Sequence, residues 1–185
     1  MTPLQWLNRA VAATFGFFLL TAGALADETT LDQLFERLQA DELPEWEEVE
    51  NQIWAKWSQS GSDSMDLLLQ RGRDAMEAED FQAAIEHLTA LTDHAPDFAE
   101  GYHQRATAYF HADLYGPSLA DLKRTLTLVP RHFGAWSGLG TIMMEMGHEK
   151  LALRAYRRAH ELNPHRPDFE RAVNDLAIRF GERDL

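Results

Sequence analysis

The sequence predicts an all-α protein, a solenoid of stacked helix-turn-helix units, on three observations. The first is a period of 34 residues: Pro96, Pro130 and Pro164 recur at that spacing, as do Leu68, Tyr102 and Trp136, then Gly72, Ala106 and Gly140, Ala84, Ser118 and Ala152, and Leu88, Leu122 and Tyr156. Large apolar, small, small, large apolar and proline in that order describe a helix pair that stacks on copies of itself. The second is apolar spacing of helical period outside those columns, in Phe169, Val173, Leu176, Ala177 and Phe180. The third is the absence of cysteine, which removes disulfides, thiolate metal sites and cysteine nucleophiles together and leaves stability to packing. A chain of 185 residues that is 45% hydrophobic can bury one real core.

Residues 1–26 read as a Sec-type signal peptide. Arg9 precedes the uncharged stretch AVAATFGFFLLTAGALA, which ends in Ala24, Leu25 and Ala26, the small-x-small pattern that a signal peptidase seats, so cleavage is expected after Ala26. The competing reading is an uncleaved anchor, because the stretch approaches the roughly 20 apolar residues that span a bilayer. With cleavage the mature chain is periplasmic or secreted and inserts into no membrane. Residues 27–64 form an acidic N-terminal helical cap of degenerate-repeat length. Thr30 and Gln33 make a capping box ahead of Leu31, Leu34, Phe35 and Leu38. A second helix follows Pro44 with Trp46, Val49, Ile53 and Trp57 along one side, and SQSGSDS, residues 58–64, is the hinge to the array.

Within the array, glycine or alanine at 72, 106 and 140 lets the first helix of a unit approach its second, and Ala84 and Ala152 serve the return approach. Leu68, Tyr102 and Trp136 fill the space between at interior density. Proline at 96, 130 and 164 ends each second helix, since it lacks an N–H and disfavours helical geometry in the preceding residue. Pro117 belongs instead to a first turn, where the missing donor costs nothing. Residues 167–185 form a C-terminal capping helix, with Gly181 placed to end it.

These columns resemble the tetratricopeptide repeat. Segments 65–98, 99–132 and 133–166 are similar to three such repeats, and AWSGLGTIMMEMGHEKLALRAYRRAHELNP matches the pattern most fully. Leu91 and Thr125 stand where the family has a small alanine, and Glu149 where it has an aromatic. The resemblance implies a right-handed superhelix whose first helices line a concave groove that holds a peptide of a partner protein. Carried onto this chain, the groove positions are Leu69, Arg73, Met76 and Glu77, then His103, Gln104, Thr107, Phe110 and His111, then Ser137, Thr141, Met144 and Glu145. One branch of the family grips a C-terminal carboxylate with lysine, arginine and asparagine. Leu69, Gly134 and Gly138 occupy three of those places here, so that clamp is largely absent. Arg73 alone could pair with a carboxylate, or with Glu77 one turn on.

Met143, Met144, Met146 and His148 cluster in TIMMEMGH and raise the question of a copper site. Neighbouring helical side chains point about 100° apart, so Met143 and Met144 cannot converge on one ion, and core or groove packing is the expected role. His103 and His111 are separated by about 12 Å of helix, too far to share a zinc. No HExxH, phosphate loop or GxSxG is present, so no catalytic residue, cofactor or metal is expected. Seventeen basic against thirty acidic residues give a formal charge of -13, which disfavours nucleic acid. Acids crowd residues 27–50, whereas Lys150, Arg154, Arg157 and Arg158 carry positive charge on an outward helix. The plain reading is a solvated face; the sharper one is electrostatic docking or head-to-tail self-association. The expected function is a non-catalytic protein-protein interaction module of the cell envelope, in its narrower form an assembly factor. A small periplasmic copper or ligand carrier using Met144, His103 and His111 is the alternative.

Overall fold

The computed structural model describes residues 29–181, which form nine helices and no strand. The expected leader with its cleavage point after Ala26 and the last four residues lie outside them. Three helix pairs make the body: α3 (Asp63–Glu77) with α4 (Phe81–His94), α5 (Ala99–His111) with α6 (Tyr115–Leu128), and α7 (Phe133–Glu145) with α8 (Glu149–Leu162). Consecutive helices of these pairs pack in order, and α5 also touches both α3 and α7, so first helices form one continuous face. No helix of the described residues is long and apolar enough to cross a membrane.

The small-residue columns act where backbones meet. A Cβ built on Gly72 would lie 2.6 Å from Leu88, and one on Gly140 would lie 2.9 Å from the Tyr156 ring. Prolines 96, 130 and 164 each stand two residues past the end of α4, α6 and α8, and Pro117 lies in the first turn of α6. The turn inside each pair has a further 34-residue column. Glu79, Asp113 and Gly147 all have positive φ, at 56°, 59° and 73°. After each, a backbone N–H reaches back to close the first helix: Asp80 to Ala75, Leu114 to Tyr109 and His148 to Met143. At the unusual positions the packing adapts: Leu91 is buried against Gly101, Thr125 donates to the Asp121 carbonyl at 3.0 Å, and Glu149 pairs with Arg179.

Helix α9 (Pro167–Arg179) covers α8, sending Val173 and Leu176 into the cluster shared by the second and third pairs, and Gly181 (φ 69°) follows its end. Helices α1 (Leu31–Leu38) and α2 (Trp46–Trp57) form a hairpin, and Thr30 and Gln33 close the capping box at its start. This hairpin does not sit on the open end of α3–α4 as a cap would. It folds back across the first-helix face and buries Leu34, Phe35, Leu38, Val49, Ile53 and Trp57 with Phe133, Leu162 and Phe169 of the third pair and α9. Polar contacts hold the same placement. Gln39 donates to the Leu162 carbonyl, Asn163 and Arg166 donate to Glu50 at 2.6 and 2.9 Å, and Arg131 pairs with Asp32. The Phe133, Leu162 and Phe169 surface is apolar, whereas the first turn of α3 carries Asp63 and Asp66. The segment expected as a hinge is itself tied, since the Ser60 N–H donates to Asp66 at 2.8 Å and Arg73 donates to the Ser58 hydroxyl.

Candidate functional site

Helix α2 divides the first-helix face into a closed part and an open part. The closed part centres on Glu100, in the first turn of α5 and only 1% exposed. Its Oε1 accepts from Arg73 at 2.8 Å and Gln104 at 2.7 Å, and its Oε2 accepts from His103 Nδ1 and His132 Nε2, each at 3.2 Å. Glu100, His103 and Gln104 meet because i, i+3 and i+4 share a helix face. His132 comes from the start of α7. Over this network lies α2: Trp54 stacks on His103 at 5.6 Å and Trp57 on His132 at 4.2 Å. Burial alone would raise the Glu100 pKa. The charge of His103 and hydrogen bonds from His103 and His132 outweigh it and hold the carboxyl well below its usual range. His132 is pushed down to about 4, by burial first and then by His103, against the pull of Glu100.

Glu100, His103 and His132 place three potential ligand atoms within 4.8 Å of one another, so the cluster must be tested as a metal centre. The residues do not fit that role. His132 caps α7 by accepting the Ala135 N–H on Nδ1 at 3.1 Å, which keeps its proton on Nε2, the atom facing Glu100. A metal on Nε2 would require that proton on Nδ1, pointed at another N–H, whereas ligating histidines donate from the second nitrogen. A guanidinium 2.8 Å from the carboxylate adds like charge. The network is a fully bonded buried carboxylate that anchors α2.

The open part begins one turn further along. Between α5 and α7 lies a cavity of about 140 Å³, lined by His103, Ala106, Thr107, Phe110, Ser118, Leu122, Gly138, Thr141 and Ile142. Its floor is Ser118, Leu122 and Ile142, with the Ser118 hydroxyl spent on the Ala106 carbonyl at 2.7 Å. Thr141 bonds to the Tyr156 hydroxyl at 3.1 Å and Thr107 donates to the His103 carbonyl. The hydroxyls at the wall are thus already engaged, and the cavity offers mainly apolar contact.

The structure brings His103, Thr107, Phe110 and Thr141 together in this cavity, and Arg73, His103 and Gln104 together on Glu100. Arg73 pairs with Glu100, not with Glu77. Leu69 is 2% exposed and turned into the first-pair core, against which Met76 also packs. Glu77 and Glu145 are exposed, Ser137 is half-buried and its carbonyl accepts from Thr141, and Met144 packs against the cluster shared by the second and third pairs. His111 stacks on Phe81 at 5.2 Å. His103, His111 and Met144 therefore have three different neighbours and share no centre. Sequence reasoning missed Glu100, His132, Trp54 and Trp57 as a group. The i, i+3, i+4 pattern of Glu100, His103 and Gln104 was a usable signal; the arrival of His132 and α2 was not.

No family model matches the chain. It is 35% identical over 151 residues, 81% of this chain and 74% of the relative, to a TPR repeat-containing protein of Rhizobium etli. Its fold is similar to the Sgt2 TPR domain from Aspergillus fumigatus, with a TM-score of 0.61 at 24% identity, covering 65% of this chain and 82% of that one. It is also similar to the first TPR of Spaghetti (RPAP3), solved bound to the HSP90 peptide SRMEEVD, with a TM-score of 0.60 at 20% identity, covering 63% and 93%. With the 34-residue helix pairs in place and a relative of that identity over most of both lengths, the chain belongs to the tetratricopeptide-repeat family.

Proposed function

We propose that this protein is a non-catalytic interaction module of the cell envelope that holds a peptide segment of a partner in the part of the groove α2 leaves open, serving as an assembly factor. The observation that carries this reading is the α5–α7 cavity, an unfilled apolar recess on the first-helix face. A cavity near 150 Å³ lined by apolar side chains holds a benzene, so this one suits a single leucine, methionine or phenylalanine side chain. The peptide bound by the similar Spaghetti domain supports a peptide ligand for the same fold. Magnitudes decide where the partner goes. Six large side chains of the hairpin are buried, each contributing about 1.5–3 kcal/mol, against about 8 kcal/mol for a micromolar peptide. The partner lands beside α2 and does not replace it. Export by residues 1–26 is part of the proposal, and N-terminal sequencing of the mature protein, with Asp27 expected first, tests it.

Gly138→Leu tests the groove. A Cβ there meets Leu122 at an ordinary 3.4 Å, so the helix tolerates the change while the longer side chain fills the recess. With a photoreactive residue at position 110, crosslinks to one client are expected in living cells and should disappear in Gly138→Leu. Crosslinks that persist unchanged with the recess filled would remove this site.

A further inference from the structure

The charge around the open recess specifies its occupant, an inference that rests on the groove reading above. The groove positions supply one guanidinium, Arg73, and Glu100 already binds it at 2.8 Å with the Ser58 hydroxyl beside it. An incoming carboxylate would compete with a buried partner that cannot leave. The positions at which a carboxylate clamp would need cations or amides hold Leu69, Gly134 and Gly138.

The other end of the recess has the opposite character. Phe110 forms its wall, and the Tyr115 ring lies 5.8 Å from the Phe110 ring. Tyr115 donates to Asp113 at 3.3 Å, and Glu145 stands one turn past the wall residue Thr141 on the same face of α7. Asp113 and Glu145 are exposed and neither makes an ion pair among the described residues. Two aromatic rings beside two carboxylates attract a cation through both the ring faces and direct charge. The chain as a whole, at -13, reinforces that preference at long range.

We infer that the open groove takes a cationic segment, with one bulky apolar side chain in the α5–α7 recess and an adjacent lysine or arginine against Asp113, Glu145 and the rings of Phe110 and Tyr115. The segment is therefore of opposite charge to an acidic C-terminal tail.

Two short dye-labelled peptides test this by fluorescence anisotropy on the full mature chain. Both carry one phenylalanine in a Gly/Ser background, followed by arginine in one and by glutamate in the other. The arginine peptide should bind about tenfold more tightly at low salt, with the gap closing as salt is raised, because exposed charges are screened over about 8 Å at 0.15 M. The double variant Asp113→Asn, Glu145→Gln should abolish the preference while keeping residual binding of both. Asparagine keeps the left-handed turn at position 113, and circular dichroism checks the fold. If the glutamate peptide binds equally or better and Gly138→Leu still blocks it, the cationic inference is wrong and the groove reading stands. If neither peptide binds the wild-type chain, the groove reading fails and takes this inference with it.

Discussion

Gly134 and Gly138 stand one turn apart on the same face of α7 and have opposite surroundings. A Cβ on Gly134 would lie 2.6 Å from the Trp54 ring and 3.2 Å from His103, whereas one on Gly138 meets only Leu122 at 3.4 Å and borders a recess. The first glycine is the surface on which the protein's own α2 rests; the second lines an open recess. The difference teaches that the groove is not one surface. Part of it is core, stabilised by stacked rings and a saturated carboxylate, and only the remainder is left open.

The largest effect should come from the closed part. Glu100→Ala removes the acceptor for Arg73, Gln104, His103 and His132 at once and leaves buried donors unpaired, at a cost of about 3–5 kcal/mol in chemical denaturation. A loss under 1 kcal/mol would mean that the network does not anchor α2. Acid should act on the same place. His132 has a folded pKa of about 4 against an ordinary 6.5, so below 6.5 the unfolded chain takes up the proton first and stability falls as pH drops towards 4. Glu100, held low in the fold, adds in the same direction below about 4.5, where the unfolded carboxyl protonates. The His132 share is on the order of 3 kcal/mol. Unfolding curves between pH 7 and pH 4 should lose this slope in His132→Asn, which keeps a capping side chain; an unchanged slope would assign the acid sensitivity elsewhere. The smallest effect separates the two glycines most sharply. Gly134→Ala should destabilise by about 1–3 kcal/mol and expose residues 58–62 to protease, because a rigid ring must move. Gly138→Ala should stabilise by about 0.5–1 kcal/mol through helix propensity. Equal values at both sites would contradict the division of the groove.

Much of the framework was legible. The proline and small-residue columns report contacts inside one helix pair, where partners are at most a few dozen residues apart and every copy repeats them. The turn column was half hidden: Gly147 carries the left-handed position openly, but Glu79 and Asp113 adopt it without glycine, held by the N–H that follows each. Repeat register fixes which way a helical side chain faces, and it set His103, Thr107, Phe110 and Thr141 on the faces that line one cavity. Leu69 was misjudged by the same register, since burial depends on the neighbouring pair and not on the helix alone.

The placement of the hairpin was not legible. The stripe of Val49, Ile53 and Trp57 demands an apolar partner without naming which, and the start of α3 or the Phe133, Leu162 and Phe169 surface could each have met it. Alone, then, the sequence determined nine helices' worth of local signals, their pairing and their order, because those rest on periodicity and caps that act over a few turns. Only the tertiary structure decided which face the hairpin covers, and with it which groove residues became core and which stayed open. That choice is a competition between distant surfaces for the same apolar side chains, settled by the Phe133, Leu162 and Phe169 cluster and by the bonds that Glu50 accepts from Asn163 and Arg166.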